Sequence, residues 1–156
     1  MTQQNNAENI VQDLHEAEEI CARNGVRLTK LRRAILELLL EANRQPVKAY
    51  DLIEQMRDKG QRLTPATIYR TLDFLLEYGL AHRINALNAF VPCTGSHEEH
   101  ALIMFVCSEC RQVEELDDPV LYGSIRARLG ELGMSLQGNC IEMQGTCREC
   151  VQHAVT

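Results

Sequence analysis

The chain has 156 residues, enough for one compact domain or two small ones. Its hydrophobic fraction of 45% supports a buried core, although aromatic residues make up only 4% and Trp is absent. No apolar run of about eighteen residues occurs, and the opening MTQQNNAEN is polar with no basic start. Neither a membrane span nor a signal peptide is expected, and the expected location is the cytoplasm. There, seven cysteines favour metal ligation over disulfides.

A net charge of −6 speaks against a nucleic-acid partner, but its distribution reverses that. Residues 20–83 carry twelve Lys and Arg against seven acids, for +5, while residues 84–156 carry four Arg against ten acids, for −6. A basic block beside an acidic one points to a nucleic-acid-binding half, with two solvated surfaces of opposite sign as the plainer alternative.

Residues 8–23 read as a helix with Ile10, Leu14, Ala17 and Cys21 on one face, closed by Gly25. Cys21 reads as a core thiol. Thr29 can cap a second helix, whose Leu31, Ile35, Leu38 and Leu39 recur at helical spacing. Lys30, Arg32 and Arg33 fall in its first turn, where cations are unfavourable unless an anion such as a DNA phosphate is present. The other reading of these three is simple solubilising charge. Gln45-Pro46 breaks the chain before a third helix, Ala49 to Lys59, which ends at Gly60 and carries a Glu54/Arg57 surface pair.

Thr64-Pro65 opens a fourth helix as N-cap and first helical residue. Ile68, Leu72, Leu75 and Leu76 form its buried stripe, and Ala66, Arg70, Asp73 and Glu77 its opposite face, flanked by Thr67 and Tyr69. A helix entering a major groove needs small and polar residues in its first turns, which Ala66, Thr67 and Arg70 supply; Arg70 could bond a guanine edge. Two short apolar runs, Leu80–Ile84 and Ala89–Val91, read as a hairpin. Three helices followed by a hairpin make a winged helix with the hairpin as wing.

The second half reads as a small α+β module. Strands are expected at Leu102–Val106, Gln112–Leu116, Met134–Leu136 and Ile141–Met143, with a helix from Asp118-Pro119 to about Leu132. Cys107/Cys110 and Cys147/Cys150 each have the two-residue gap that lets thiolates converge on one tetrahedral ion. Thirty-six residues separate the pairs, so a shared zinc would tie the module's beginning to its end. Four thiolates leave no open position for substrate, which makes such a site structural. A pair of redox dithiols is the alternative, disfavoured in a reducing compartment.

His82, Cys93, His97, His100, Glu115 and the Glu98-Glu99 pair also carry ligand atoms near the wing and its exit. Mixed imidazole, thiolate and carboxylate donors suit zinc better than magnesium, calcium or manganese. A catalytic zinc would need an open position and a general base, and no HExxH run exists: in Ser96-His-Glu-Glu-His100 the second His comes one residue early. No enzyme activity and no small-molecule substrate are expected.

Arg27-Leu-Thr-Lys-Leu-Arg-Arg-Ala-Ile-Leu36, Ala49-Tyr-Asp-Leu52, Pro65-Ala-Thr-Ile-Tyr-Arg-Thr-Leu-Asp-Phe-Leu75 and the paired CxxC motifs together resemble the ferric uptake regulator family, over nearly all of residues 10–151. The cysteine at 93 and the Ser-His97-Glu-Glu-His100 run resemble its zinc-responsive branch, in place of the HHxDH-type run of iron and peroxide sensors. The resemblance implies a winged-helix DNA-binding domain over 1–84, with the wing running to about 92, and a metal-binding dimerisation domain over 93–156. It implies a homodimeric, cytoplasmic repressor on pseudo-palindromic double-stranded operators of zinc-uptake genes. Two zinc ions per protomer follow: a structural one on Cys107, Cys110, Cys147 and Cys150, and a regulatory one on His82, Cys93, His100 and Glu115. His97 is an alternative or auxiliary ligand, and Tyr50 and Arg70 match base-contacting positions. The alternatives are an iron, manganese or peroxide sensor of the same family or, from other classes, a thiol redox switch or a zinc enzyme.

Overall fold

The computed structural model describes residues 2–43, 45–93, 102–137 and 140–154, with side chains from Glu8 in the first helix to His153 in the last. The chain divides into two compact units, Met1–Thr94 and Gly95–Thr156.

The first unit contains α1 (Thr2–Arg23), α2 (Lys30–Glu41), α3 (Ala49–Asp58), α4 (Pro65–Glu77) and a hairpin of β1 (Ala81–Ile84) and β2 (Ala89–Pro92). The expected caps form. Thr29 Oγ1 accepts from the Arg32 amide and Thr64 Oγ1 from the Thr67 amide, each satisfying a backbone donor that the helix leaves open. The helices pool their apolar stripes in one core that includes Leu14, Cys21, Ile35, Leu39, Leu52, Met56, Ile68, Leu72 and Leu75. Two stripes are wider than the periodicity predicts. Ile20 is buried beside Cys21, and Thr71 and Phe74 are buried on α4, where Thr71 Oγ1 donates to the Thr67 carbonyl at 2.9 Å.

Gly79 ends α4 at φ +67°, a left-handed turn that glycine takes without cost, and the Leu80 amide donates to the Leu75 carbonyl at 2.8 Å. The chain thereby leaves the helix directly into the wing. Val47 and Phe90 exchange two backbone hydrogen bonds of 2.8 Å, so the α2–α3 connection adds a bridge to the hairpin and fixes it to the helices. At the wing tip Asn88 sits at φ +47°, and Arg83 Nη2 donates to its Oδ1 at 2.9 Å.

The second unit is built on β3 (Leu102–Cys107), which pairs antiparallel with β4 (Val113–Leu116) and parallel with β5 (Cys140–Gly145), in the order β4-β3-β5. Parallel neighbours need a crossover, supplied by α5 (Pro119–Glu131), whose cap Asp118 accepts from the Leu121 amide at 2.9 Å. The strand expected at Met134–Leu136 does not form. Those residues, Met-Ser-Leu, are irregular, with Met134 59% exposed and Leu136 half-buried. A short helix, α6 (Arg148–Ala154), follows Cys147.

Cys107 and Gly145 are register partners at one end of the β3–β5 pair. A Cβ on Gly145 would stand 2.9 Å from two atoms of the half-buried Phe105 ring, so a larger residue here would force that ring to shift. Gly123, inside α5, faces open space. Substitution by alanine should therefore act in opposite directions. Gly145→Ala is expected to cost about 1–3 kcal/mol through overpacking, and Gly123→Ala to add up to about 1 kcal/mol through helix propensity. Urea unfolding of the zinc-loaded protein at one fixed concentration checks both.

Candidate functional site

The Cys107–Gly145 register decides where the four cysteines meet. Beyond β3 the chain turns through Ser108-Glu109-Cys110, where Arg111 stands at φ +61° and its amide donates to the Cys107 carbonyl at 3.0 Å. Beyond β5, two further residues bring Cys147 alongside. Its amide donates to Cys107 Sγ at 3.3 Å. The four Sγ atoms all lie within 4.8 Å of one another, and those of Cys110 and Cys147 are 3.8 Å apart. Sulfurs arranged tetrahedrally at the usual zinc–sulfur distance stand about 3.8 Å apart, so this donor set fits zinc in size and chemistry.

The electrostatics agree. The Cys147 amide, then the Cys110 amide, draw the Cys107 thiol down to about 6. The hydrogen bond with Cys147 and burial push the Cys150 thiol up to about 12. Cys110 is also raised, with burial among the causes. One thiolate is therefore stabilised by backbone dipoles while Cys110 and Cys150 are held toward the protonated form, since several adjacent negative sulfurs repel one another. A divalent cation reverses this by replacing the protons.

His82 and Cys93 belong to the wing. His82 pairs with Val91, and the Cys93 amide donates to the Leu80 carbonyl at 3.0 Å, so the pairing register continues one residue past β2. Cys93 lies two residues beyond Val91, so its side chain shares a sheet face with that of His82 as a diagonal neighbour. Cys93 is buried and His82 half-buried. Glu115, in the second unit, is half-buried on β4 opposite Met104. His97 and His100 lie outside the described residues.

The expected DNA-contact residues divide in two. Tyr50 in the first turn of α3 is 65% exposed, Tyr69 on α4 is 50% exposed, and Arg70 and Lys30 are exposed as well. Ala66 and Asp73 share the exposed side of α4. The others are engaged inside the unit. Thr67 is half-buried with its Oγ1 2.9 Å from that of Thr64. Arg33 pairs with Glu18 of α1. The Arg32 guanidinium lies over the Phe74 ring. Sequence periodicity gives no hint of this last contact, because the two residues lie on different helices.

The ferric uptake regulator family model matches residues 23–144. The chain belongs to the ferric uptake regulator family. Members of that family are transcriptional regulators rather than enzymes, so the four-cysteine cluster and the exposed side of α4 are to be read as parts of a regulator. The zinc uptake regulation protein of Escherichia coli K12 is 35% identical over 140 residues, spanning 89% of this chain and 81% of that one. A ferric uptake regulation protein of Shigella flexneri is 32% identical over 132 residues, spanning 80% and 84%. A solved structure of a zinc uptake regulator complexed with zinc and DNA superposes with a TM-score of 0.82 at 33% identity, covering 94% of this chain and 98% of that one. Among the described residues, no helix is long and apolar enough to cross a membrane.

Because Cys110 and Cys150 are held above their ordinary value, zinc entering the cluster at pH 7 must expel at least two protons. The apparent zinc affinity should then rise by at least about a hundredfold per pH unit between pH 7 and 8. It should climb more steeply below about 6, where Cys107 also holds a proton. Competition with a chromophoric chelator across pH checks this. A pH-independent affinity would mean that the metal is not held by these thiolates.

Proposed function

We propose that this protein is a zinc-responsive transcriptional repressor that binds pseudo-palindromic operators of zinc-uptake genes as a homodimer in the cytoplasm. Each protomer holds two zinc ions. The structural one is held by Cys107, Cys110, Cys147 and Cys150. The regulatory one is held by His82, Cys93, His100 and Glu115, with His97 as an auxiliary donor. The observation that carries the reading is the placement of His82 and Cys93 on one face of the wing, in the same unit as α4. A cation on those side chains acts on the element that flanks the DNA-reading helix. A buried thiolate in the set favours zinc over harder divalent ions. The resemblance to zinc uptake regulators supports the same metal.

On DNA, α4 enters the major groove with Ala66 and Thr67 at the approach and Arg70 toward a guanine edge. Tyr50 and Tyr69 flank it, and Lys30 meets a phosphate. The residues' part is electrostatic and steric. Small side chains admit the backbone to the groove, and a planar guanidinium offers two donors to one base. Zinc supplies the cross-link that sets the wing. Metal and DNA then strengthen each other's binding by one shared coupling free energy, typically about 1–3 kcal/mol.

Fluorescence anisotropy of a labelled operator fragment tests this at fixed salt in buffered zinc, ferrous iron, manganese and chelator. Tight binding with zinc alone is expected. Tight binding with iron or manganese instead would assign the protein to a sister branch. Cys93→Ser should abolish the zinc dependence while the four-cysteine zinc stays bound. Arg70→Ala should cost about 1–3 kcal/mol and relax preference at one base pair. Unchanged operator preference in Arg70→Ala would remove α4 from the groove.

A further inference from the structure

Arg32 stands in the first turn of α2, where a guanidinium aimed at solvent would suit a phosphate. The structure turns it inward. Its guanidinium carbon lies 3.5 Å from the centroid of the Phe74 ring, and Nη1 donates to the Arg27 carbonyl at 2.8 Å. Phe74 is buried on α4, and its ring meets that of Tyr78 with centroids 4.7 Å apart. The side chain thus joins the segment before α2, α2 itself and the C-terminal half of α4.

α4 is also held by an apolar stripe that includes Ile68, Leu72 and Leu75. Packing of such a stripe restricts how a helix lies, but leaves a range of orientations of about ±15–20°. A cation over a ring, tied at its other edge to a carbonyl, has a preferred geometry and narrows that range. Arg33, beside it, is likewise occupied by Glu18. Of the three cations in this turn, Lys30 is the exposed one.

We infer that Arg32 is a positioning residue for sequence reading. It clamps α4 through Phe74 at the angle that presents Arg70 and Tyr69, and it does not contact a phosphate. The inference rests on the reading of α4 as the groove-entering helix. A phosphate contact and a clamp leave different traces. Losing a phosphate contact weakens all DNA alike and lowers the slope of log affinity against log salt by about 0.9. Losing the clamp weakens the operator selectively and leaves that slope alone.

The test uses the zinc-loaded full chain on an operator duplex and a scrambled duplex across a salt series, with Arg32→Met, Arg32→Lys, Phe74→Leu and the Arg32→Met/Phe74→Leu double variant. Amide exchange on α4 is followed in parallel without DNA. Arg32→Met is expected to lose roughly three- to thirtyfold on the operator, the span of a cation–π contact, with little loss on scrambled DNA and an unchanged salt slope. Phe74→Leu should do the same, the double variant should be no worse than the weaker single one, and α4 amides should exchange faster. Arg32→Lys keeps the charge but not the planar fork. The clamp predicts that it loses operator preference, whereas a phosphate contact predicts that it keeps affinity and slope. This variant decides the matter if Arg32→Met does not fold. Equal losses on both duplexes with a shallower slope, or wild-type behaviour throughout, would overturn the inference. If the wild-type protein itself does not discriminate the duplexes, the reading of α4 fails instead. The exchange rates then still decide whether Arg32 holds the helix.

Discussion

Four sulfurs within 4.8 Å of one another cannot all carry charge unless a cation sits among them. That constraint underlies the second unit. Among the described residues its sheet has three strands, and α5 buries only Tyr122 while Val120 and Leu121 remain exposed. Apolar burial of that size gives a small module little stability by itself, and modules of this kind rely on a metal or on association. The cluster joins the end of β3 to the residues after β5, closing a loop of nearly forty residues. Loop closure of that length is where a cross-link restricts the unfolded chain most.

The first unit meets the opposite requirement. It has a full apolar core, and its specificity comes from a few directional contacts laid over that core. The Gly79 turn delivers the chain from α4 straight into β1, and the Val47–Phe90 bridge fixes the wing to the helices. His82 and Cys93 sit on that wing. A change in the charge they face is therefore a change at an element continuous with α4, the helix proposed to read DNA. In this way a metal ion far smaller than DNA can bias how a helix meets a groove, provided it binds one arrangement better than another.

Local chemistry made much of this legible in the sequence. The caps at Thr29 and Thr64, Pro65 at a first helical position and the glycine at the end of α1 act within a few residues, and the structure has each of them. The CxxC pairs were legible because a tetrahedral ion demands that spacing. What escaped depends on contacts distant in sequence or on segments too short for a period to show. Met134-Ser135-Leu136 looked like a strand because its apolar and polar residues alternate, but among the described residues it pairs with no strand. The seven residues of α6 are two turns, too few for a stripe. The ring that Arg32 meets and the carboxylate that Arg33 pairs with were also out of sight, because each lies on another helix.

Metal occupancy and DNA binding must be thermodynamically linked if the wing-borne donors regulate the protein. Zinc affinity at the regulatory site should be measured with and without operator, alongside operator affinity with and without zinc. The account predicts that the two ratios are equal, at about tenfold or more, and that both collapse to one in Cys93→Ser. Tight operator binding with a ratio of one in the unsubstituted protein would contradict it, because DNA binding would then be indifferent to the regulatory metal.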